Sequence, residues 1–420
     1  MSYETKRISE QLRVLQPEIN NFIARYNAWN GPALGQRQTV FLLPGGIGSR
    51  LVRAKRAYQP GGDDEIFDYE EVWLNAASFL GGARDLRLTK FGLFQYRDLG
   101  NKIIVADRVI NLFGVSPYMI FTWWCEWIHL DYFVFPWDWR RAVWDVADLF
   151  TTHFLPYFQE QVKAGCNNAD PLARFSLIGH SAGGMVVNWV LRSTAPILAG
   201  LQKVITVGTP FYGYGGQLHR WFEGDALLNG SYTQDIIQTL CSFPGCYAWM
   251  FLPHATYAAN AGRLNGDPQY PLPAYPSTDA ATGVIADPYH PQTNGALRRY
   301  PPAASGFNPF ELAIGELVVR VLASPLGARK NRFWNIRGDT LAGNTISATT
   351  WDWVPPTLPS PITDVSTVAG DTVQPAWTTR HVELDDLGHV ITIQSPFAVH
   401  QVLVDWPETL AWITVILALP

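Results

Sequence analysis

The chain has 420 residues, 47% of them hydrophobic, which is enough for one elaborated domain with a large core. Charged residues are only 16% and the net charge is −5, so nothing in the balance suits a nucleic-acid partner. No stretch approaches the roughly 18 apolar residues of a membrane span, and no apolar segment follows the charged start as in a secretory signal, so the expected location is cytoplasmic.

Ile8, Leu12, Leu15, Ile19, Ile23 and Tyr26 recur at three- and four-residue steps. They predict an amphipathic helix, interrupted at Pro17 and ended near Gly31, within an extension over residues 1–37. Its polar face carries both signs of charge, which suits packing on a core better than lying on an anionic membrane. Residues 39–43 form an apolar strand run, followed at once by Pro44-Gly45-Gly46-Ile47-Gly48, a loop able to present backbone N–H groups. A polar, Gly-punctuated stretch follows. Its Arg50, Arg53, Lys55 and Arg56 beside Leu51 and Val52 read as a solvated surface, or as a place of transient contact with lipid.

Strands are predicted at 102–106 and 132–135, a helix over about 142–163, and a strand at 175–180. That strand leads into Gly179-His180-Ser181-Ala182-Gly183 and a helix over 185–192. Residues 203–207 form another strand ending in Gly208-Thr209-Pro210-Phe211-Tyr212-Gly213. Residues 214–325 do not alternate strand and helix, and 253–309 are dense in Pro, Gly, Asn and Tyr; a cap over the site is expected. The core resumes at 332–336, and two later segments carry candidate chemistry, 368–373 and 382–390. Cys241 and Cys246 could close a small loop, but a reducing compartment would keep them as thiols. No Cys/His spacing resembles a metal site, and no cofactor is called for.

Strand, Gly-x-Ser-x-Gly and helix in succession are the pattern of a nucleophile elbow, in which Ser181 sits on a sharp turn. A serine hydroxyl needs a base to take its proton, and the base needs a carboxylate to fix its tautomer. On an α/β-hydrolase fold the chain order is Ser, then acid, then His. Ser181, Asp371 and His389 obey it, with Asp339 as a second candidate acid. Among the histidines after Asp371, His381 is placed at the start of a strand and His400 within a helical pattern after Pro396. His389 is placed in the loop after the strand and is expected to be the base. The backbone N–H groups of Ala182 and Gly46 are the expected oxyanion donors.

Several pieces resemble the lecithin:cholesterol acyltransferase family of lipases and acyltransferases. They are Phe41-Leu-Leu-Pro-Gly-Gly-Ile-Gly-Ser-Arg-Leu51, Val72-Trp-Leu74, Trp137-Asp-Trp-Arg140, the Gly-His-Ser-Ala-Gly-Gly elbow, Gly208-Thr-Pro-Phe-Tyr-Gly213, Gly370-Asp-Thr-Val373 and Gly388-His389. The resemblance implies an α/β-hydrolase fold with Ser181 as nucleophile, Asp371 as acid, His389 as base, Gly46 and Ala182 as oxyanion donors, and a mobile lid over about 52–79. The expected organisation is an N-terminal extension (1–37), a first core part with its lid (38–213), an inserted cap (214–325) and a second core part (326–420). The expected activity is hydrolysis of an apolar acyl ester, a small molecule or a lipid, through an acyl-enzyme. Transfer of the acyl group to an alcohol is the alternative within the same chemistry. A non-catalytic binding protein on the same fold is the alternative of another class, and an intact Ser/Asp/His set argues against it.

Overall fold

The computed structural model describes residues 2–29, 37–57, 65–73, 86–90, 95–111, 116–214, 239–264, 270, 275–279, 281–290, 308–351, 362–379, 381 and 387–420. Its strands in chain order are β1 (Thr39–Leu43), β2 (Ser49–Ala57), β3 (Glu65–Trp73), β4 (Leu88–Lys90), β5 (Tyr96–Asp98), β6 (Ile104–Val109) and β7 (Asp131–Val134). They continue with β8 (Phe175–His180), β9 (Leu201–Val207), β10 (Ser277–Asp279), β11 (Phe333–Asp339), β12 (Thr345–Trp351), β13 (Ile362–Val368) and β14 (Val390–Gln394).

Six of these build an all-parallel sheet in the order β14-β11-β9-β8-β1-β7. A parallel sheet covered on both faces needs strands that are apolar throughout. β1 and β8 come close to that demand: every residue in both is buried, and only Thr39, Ser176 and His180 among them are polar. Side chains alternate across the sheet. Phe41, Phe175 and Leu177 enter one core, while Val40, Leu42 and Ile178 enter the other. Much of the aromatic content goes here: Phe41 meets the edges of Phe150, Phe154, Phe158 and Phe175 at centroid distances of 5.8, 6.1, 5.2 and 5.9 Å. The strand order reverses between β1 and β8. In open α/β sheets, that switch point is where the carboxyl ends of strands leave a crevice for a ligand.

The N-terminal helix runs unbroken over Tyr3–Ala28, so the expected interruption at Pro17 does not occur. Pro17 lies on the exposed side, where a missing N–H is least costly because water can satisfy the freed carbonyl. Leu15, Ile19, Phe22 and Tyr26 are buried on the core side and hold the helix through that point. Gly31, the expected end, lies outside the described residues. The helix expected over 142–163 is three helical pieces in succession: Val143–Asp148, a π-helical turn over Leu149–Phe154, and Leu155–Gly165.

Within 52–79, the described residues belong to β2 and β3, which pair antiparallel with each other, and β2 pairs with β6. Residues 58–64 and 74–79 lie outside the described residues. The basic cluster is matched by acids on neighbouring strands. Arg50 pairs with Asp107 and with Glu71 at 3.2 Å, Arg53 with Glu70, and Lys55 with Asp68 at 3.7 Å. The Arg56 side chain lies outside the described residues. Within 214–325, the described part includes the helices Pro244–Tyr247, His254–Leu264 and Pro309–Ala323. Phe243, Tyr247, Met250 and Phe251 from this stretch are buried in the main core. Among the described residues, no helix is long and apolar enough to cross a membrane.

Candidate active site

The site begins where β8 ends. Ser181 has φ 52° and ψ −125°, a conformation that a side chain rarely adopts and that costs on the order of 1–3 kcal/mol. Its surroundings hold it there. The Ser181 N–H donates to the Val207 carbonyl at 2.8 Å, and its carbonyl accepts from the Thr209 hydroxyl at 3.0 Å and from the Gly184 N–H at 2.9 Å. The helix Ala182–Arg192 starts at the next residue. The flanking glycines are required by contact: a Cβ at Gly183 would lie 2.2 Å from the Leu43 carbonyl oxygen, and one at Gly179 would lie 2.5 Å from the Gly184 Cα. Without side chains there, β8, β1 and the elbow helix converge beneath Ser181.

Asp371 and His400 come together beside this turn. The His400 Nδ1–H donates to Asp371 Oδ2 at 2.7 Å, and both residues are buried. Asp371 Oδ1 accepts the backbone N–H groups of Val373 at 3.1 Å and Gln374 at 2.6 Å. The His400 backbone N–H donates to the Asp371 carbonyl at 2.7 Å. The imidazole is therefore held by the side chain and the main chain of one acid, with Nδ1 carrying the proton and Nε2 left as the basic nitrogen. Gly208, at the end of β9, lies against the pair: a Cβ there would be 3.0 Å from Asp371 Oδ2 and 3.1 Å from His400 Nδ1. His400 also reaches the elbow, because its carbonyl lies 2.8 Å from His180 Nε2, one residue before Ser181.

His389, the expected base, is elsewhere. The β-branched run Val390–Gln394 is itself the strand, so His389 precedes β14 and does not follow it. β14 runs parallel to β11, with Val390 beside Asn335. This puts His389 near the amino end of the sheet, away from Ser181, which follows the carboxyl end of β8. There its Nδ1 lies 3.0 Å from the Phe333 carbonyl and its ring stacks on Trp334 at 3.8 Å. Residues 382–386, read as the preceding strand, lie outside the described residues. His400 follows the carboxyl end of β14 after the Ser395-Pro396 turn, and opens a 3₁₀ turn over His400–Asp405 rather than continuing a helix. A β-branched strand followed by Ser-Pro is the signal that marks it. Asp339 ends β11, but its carboxylate is used otherwise: Oδ2 accepts from the Tyr270 hydroxyl at 2.8 Å and Oδ1 from the Leu341 N–H at 2.8 Å.

The loop after β1 closes over the elbow. A Cβ at Gly45 would lie 3.1 Å from Ser181 Cβ and 3.6 Å from its Oγ. Gly46 faces Ala182, with a Cβ there 3.5 Å from that of Ala182 and 2.6 Å from the Trp249 ring. Among the described residues, neither the Gly46 nor the Ala182 backbone N–H has a hydrogen-bond partner. Two unengaged donors beside a strained serine can receive an oxyanion.

The Trp137-Asp138-Trp139-Arg140 motif has a bracing role. Arg140 is fully buried, grips Asp138 through Nε and Nη2 at 2.8 and 2.6 Å, reaches Asp98 at 2.9 Å, and donates to the Leu86 carbonyl at 2.8 Å. The Trp137 indole donates to the Pro44 carbonyl at 2.8 Å and so steadies the loop that leads to Gly45 and Gly46. Cys241 and Cys246 are both buried, and no disulfide joins them.

No protein-family model matches the chain, and no curated protein matches it. Solved structures do. A chain in the crystal structure of the Tle4–Tli4 complex is 12% identical, with a TM-score of 0.52, and the match covers 91% of this chain and 98% of that one. The product of the gene lin2722 from Listeria innocua is 10% identical with a TM-score of 0.32, over 91% of this chain and 94% of that one. With the sheet order above, the first match identifies the fold as α/β-hydrolase-like.

Proposed function

We propose that the chain is a serine-dependent carboxylic ester hydrolase of lipase or esterase type, with Ser181 as nucleophile, His400 as base and Asp371 as acid. The observation that carries this reading is the buried 2.7 Å Asp371–His400 pair beside a serine at φ 52°. In the proposed cycle, His400 Nε2 takes the Ser181 proton as Oγ attacks the ester carbonyl. Asp371 stabilises the imidazolium, and the Gly46 and Ala182 N–H groups receive the oxyanion; such donors are commonly worth about 3 kcal/mol each. His400 then protonates the leaving alkoxide, and a water activated by the same ring releases the acid.

The proposed substrate is an apolar acyl ester. Trp249, from the stretch read as a cap, lies against Gly46, so an aromatic side chain walls the place where the carbonyl would bind. Residues 52–79 and 214–325 are proposed as the covers of that site. A chain-length series of p-nitrophenyl and glycerolipid esters tests the reading. Turnover that rises from acetate to medium or long chains, survives EDTA and disappears in Ser181→Ala is expected. A steep preference for acetate, or full activity in Ser181→Ala, would contradict it. Adding an alcohol to the same assay measures acyl transfer against hydrolysis, and hydrolysis is expected to dominate.

A further inference from the structure

We infer that His180 and Tyr118 are positioning residues for this reaction, forming one hydrogen-bond chain from the oxyanion loop to the backbone of the base. The inference rests on the roles given above to Ser181, His400 and Asp371.

The direction of every bond in the chain can be worked out. The His400 carbonyl can only accept, so the contact at 2.8 Å makes His180 Nε2 a donor. His180 is buried, and burial together with the neighbouring His400 pushes its pKa down to about 3, so the ring is neutral and Nδ1 carries no proton. Nδ1 therefore accepts from the Tyr118 hydroxyl at 3.0 Å. The Tyr118 oxygen in turn accepts the Gly45 N–H at 2.8 Å. Gly45 N–H, Tyr118 O–H and His180 Nε2–H all donate in one sense, toward the His400 carbonyl. No member has a second way to satisfy its partner, so the tautomer of His180 is fixed from both ends.

The elbow itself does not ask for histidine at position 180. It asks for small residues at 179 and 183, and an apolar side chain at 180 would fill the same volume without placing an imidazole in a dry site. What His180 adds is a link between parts that must be in register. Gly45 precedes the proposed donor Gly46, His180 precedes the nucleophile, and the carbonyl that it grips belongs to the base. A second tie holds Tyr118 to the same segment. Asp405, on the 3₁₀ turn opened by His400, accepts the N–H groups of Phe121 at 2.9 Å and Ile120 at 3.3 Å, at the start of the helix Met119–Trp127 that follows Tyr118.

The test measures labelling of Ser181 by a fluorophosphonate, and kcat and KM on a p-nitrophenyl ester, in wild type, Tyr118→Phe, His180→Leu and His180→Gln. A thermal melt is run on each. A reacting group displaced by about 1 Å can cost on the order of 100-fold, so Tyr118→Phe and His180→Leu should lower kcat and labelling about 10- to 100-fold, with KM nearly unchanged. His180→Gln places an amide N–H near the position of Nε2 and should recover most of that loss. Wild-type kcat in both Tyr118→Phe and His180→Leu would overturn the inference, as would a rise in KM with kcat unchanged. Should His180→Leu fail to fold, Tyr118→Phe decides, since it removes only a hydroxyl. Wild-type protein that takes no label would overturn the hydrolase reading and this inference with it, whereas labelled wild type with unaffected variants overturns the inference alone.

Discussion

Replacing Asp371 by Asn changes one atom, and the structure determines which way the amide must face. Asp371 Oδ1 accepts two backbone N–H groups, from Val373 at 3.1 Å and Gln374 at 2.6 Å, while Oδ2 accepts from His400 at 2.7 Å. An amide turned with its NH2 toward the two backbone donors would leave both unsatisfied in a buried site, at about 1–3 kcal/mol each. Its oxygen therefore stays on that side, and the NH2 points at His400 Nδ1. The ring must then accept at Nδ1 and carry its proton on Nε2, the nitrogen that should take the Ser181 proton. A wrong tautomer of this kind costs about 10⁴-fold in kcat, or roughly 5 kcal/mol of barrier, with little change in KM. Asp339→Asn should leave kcat within roughly tenfold, about 1.4 kcal/mol, because its carboxylate serves Tyr270 and Leu341. The assay is steady-state hydrolysis of a p-nitrophenyl ester, with melts showing that both variants fold. An Asp371→Asn enzyme within tenfold of wild type, or an equal loss in Asp339→Asn, would show that Asp371 does not set the tautomer of His400.

Three further outcomes are expected. Ser181→Gly should be more stable than Ser181→Ala by about 1 kcal/mol, because glycine relieves the backbone strain at φ 52° and alanine keeps it; chemical denaturation of the two inactive variants measures this, and equal midpoints would remove the strain argument. The pKa of His180, lowered by burial to about 3, favours the neutral ring in the folded state. Its contribution is present above the unfolded value near 6.5 and lost as pH falls, so between pH 7 and pH 5 wild type should lose about 2 kcal/mol more than His180→Gln; parallel losses in urea melts at the two pH values would contradict this. Arg140→Met should destabilise by about 3–5 kcal/mol, since Asp138 and Asp98 stay buried without their main cation; a shift in melting temperature equivalent to less than 1 kcal/mol would show that the brace is dispensable.

The sheet is legible in the sequence because a parallel strand covered on both faces is mostly apolar. Residues 39–43, 175–180 and 203–207 stand out as predominantly apolar runs, and each lies in the central sheet. The elbow is legible because close contact at Gly179 and Gly183 admits no side chain. The proposed base is harder to place. His389 sits beside a Gly in a motif that resembles a family pattern, and only the pairing of Val390 with Asn335 reveals that the strand starts after it. His400 lies in a segment whose apolar spacing imitates a helix, because Leu403 and Val404 are buried for packing and not for helical periodicity. The continuity of the N-terminal helix through Pro17 escapes local rules in the same way, since tertiary burial on its other face outweighs a missing hydrogen bond. The role of the Trp-Asp-Trp-Arg motif as a brace depends on Asp98, far away in the chain, and no local pattern points to that partner.

In the proposed mechanism Ser181 is activated by His400 and not by His389. Mass-spectrometric mapping of a fluorophosphonate adduct, timed in wild type, His400→Ala and His389→Ala, distinguishes the two histidines. Labelling should fall on Ser181, proceed at the wild-type rate in His389→Ala, and slow by several orders of magnitude in His400→Ala, because members of a triad act as a unit. An adduct on another residue, or a Ser181 adduct that needs His389 and forms normally without His400, would overturn the roles proposed for Ser181 and His400.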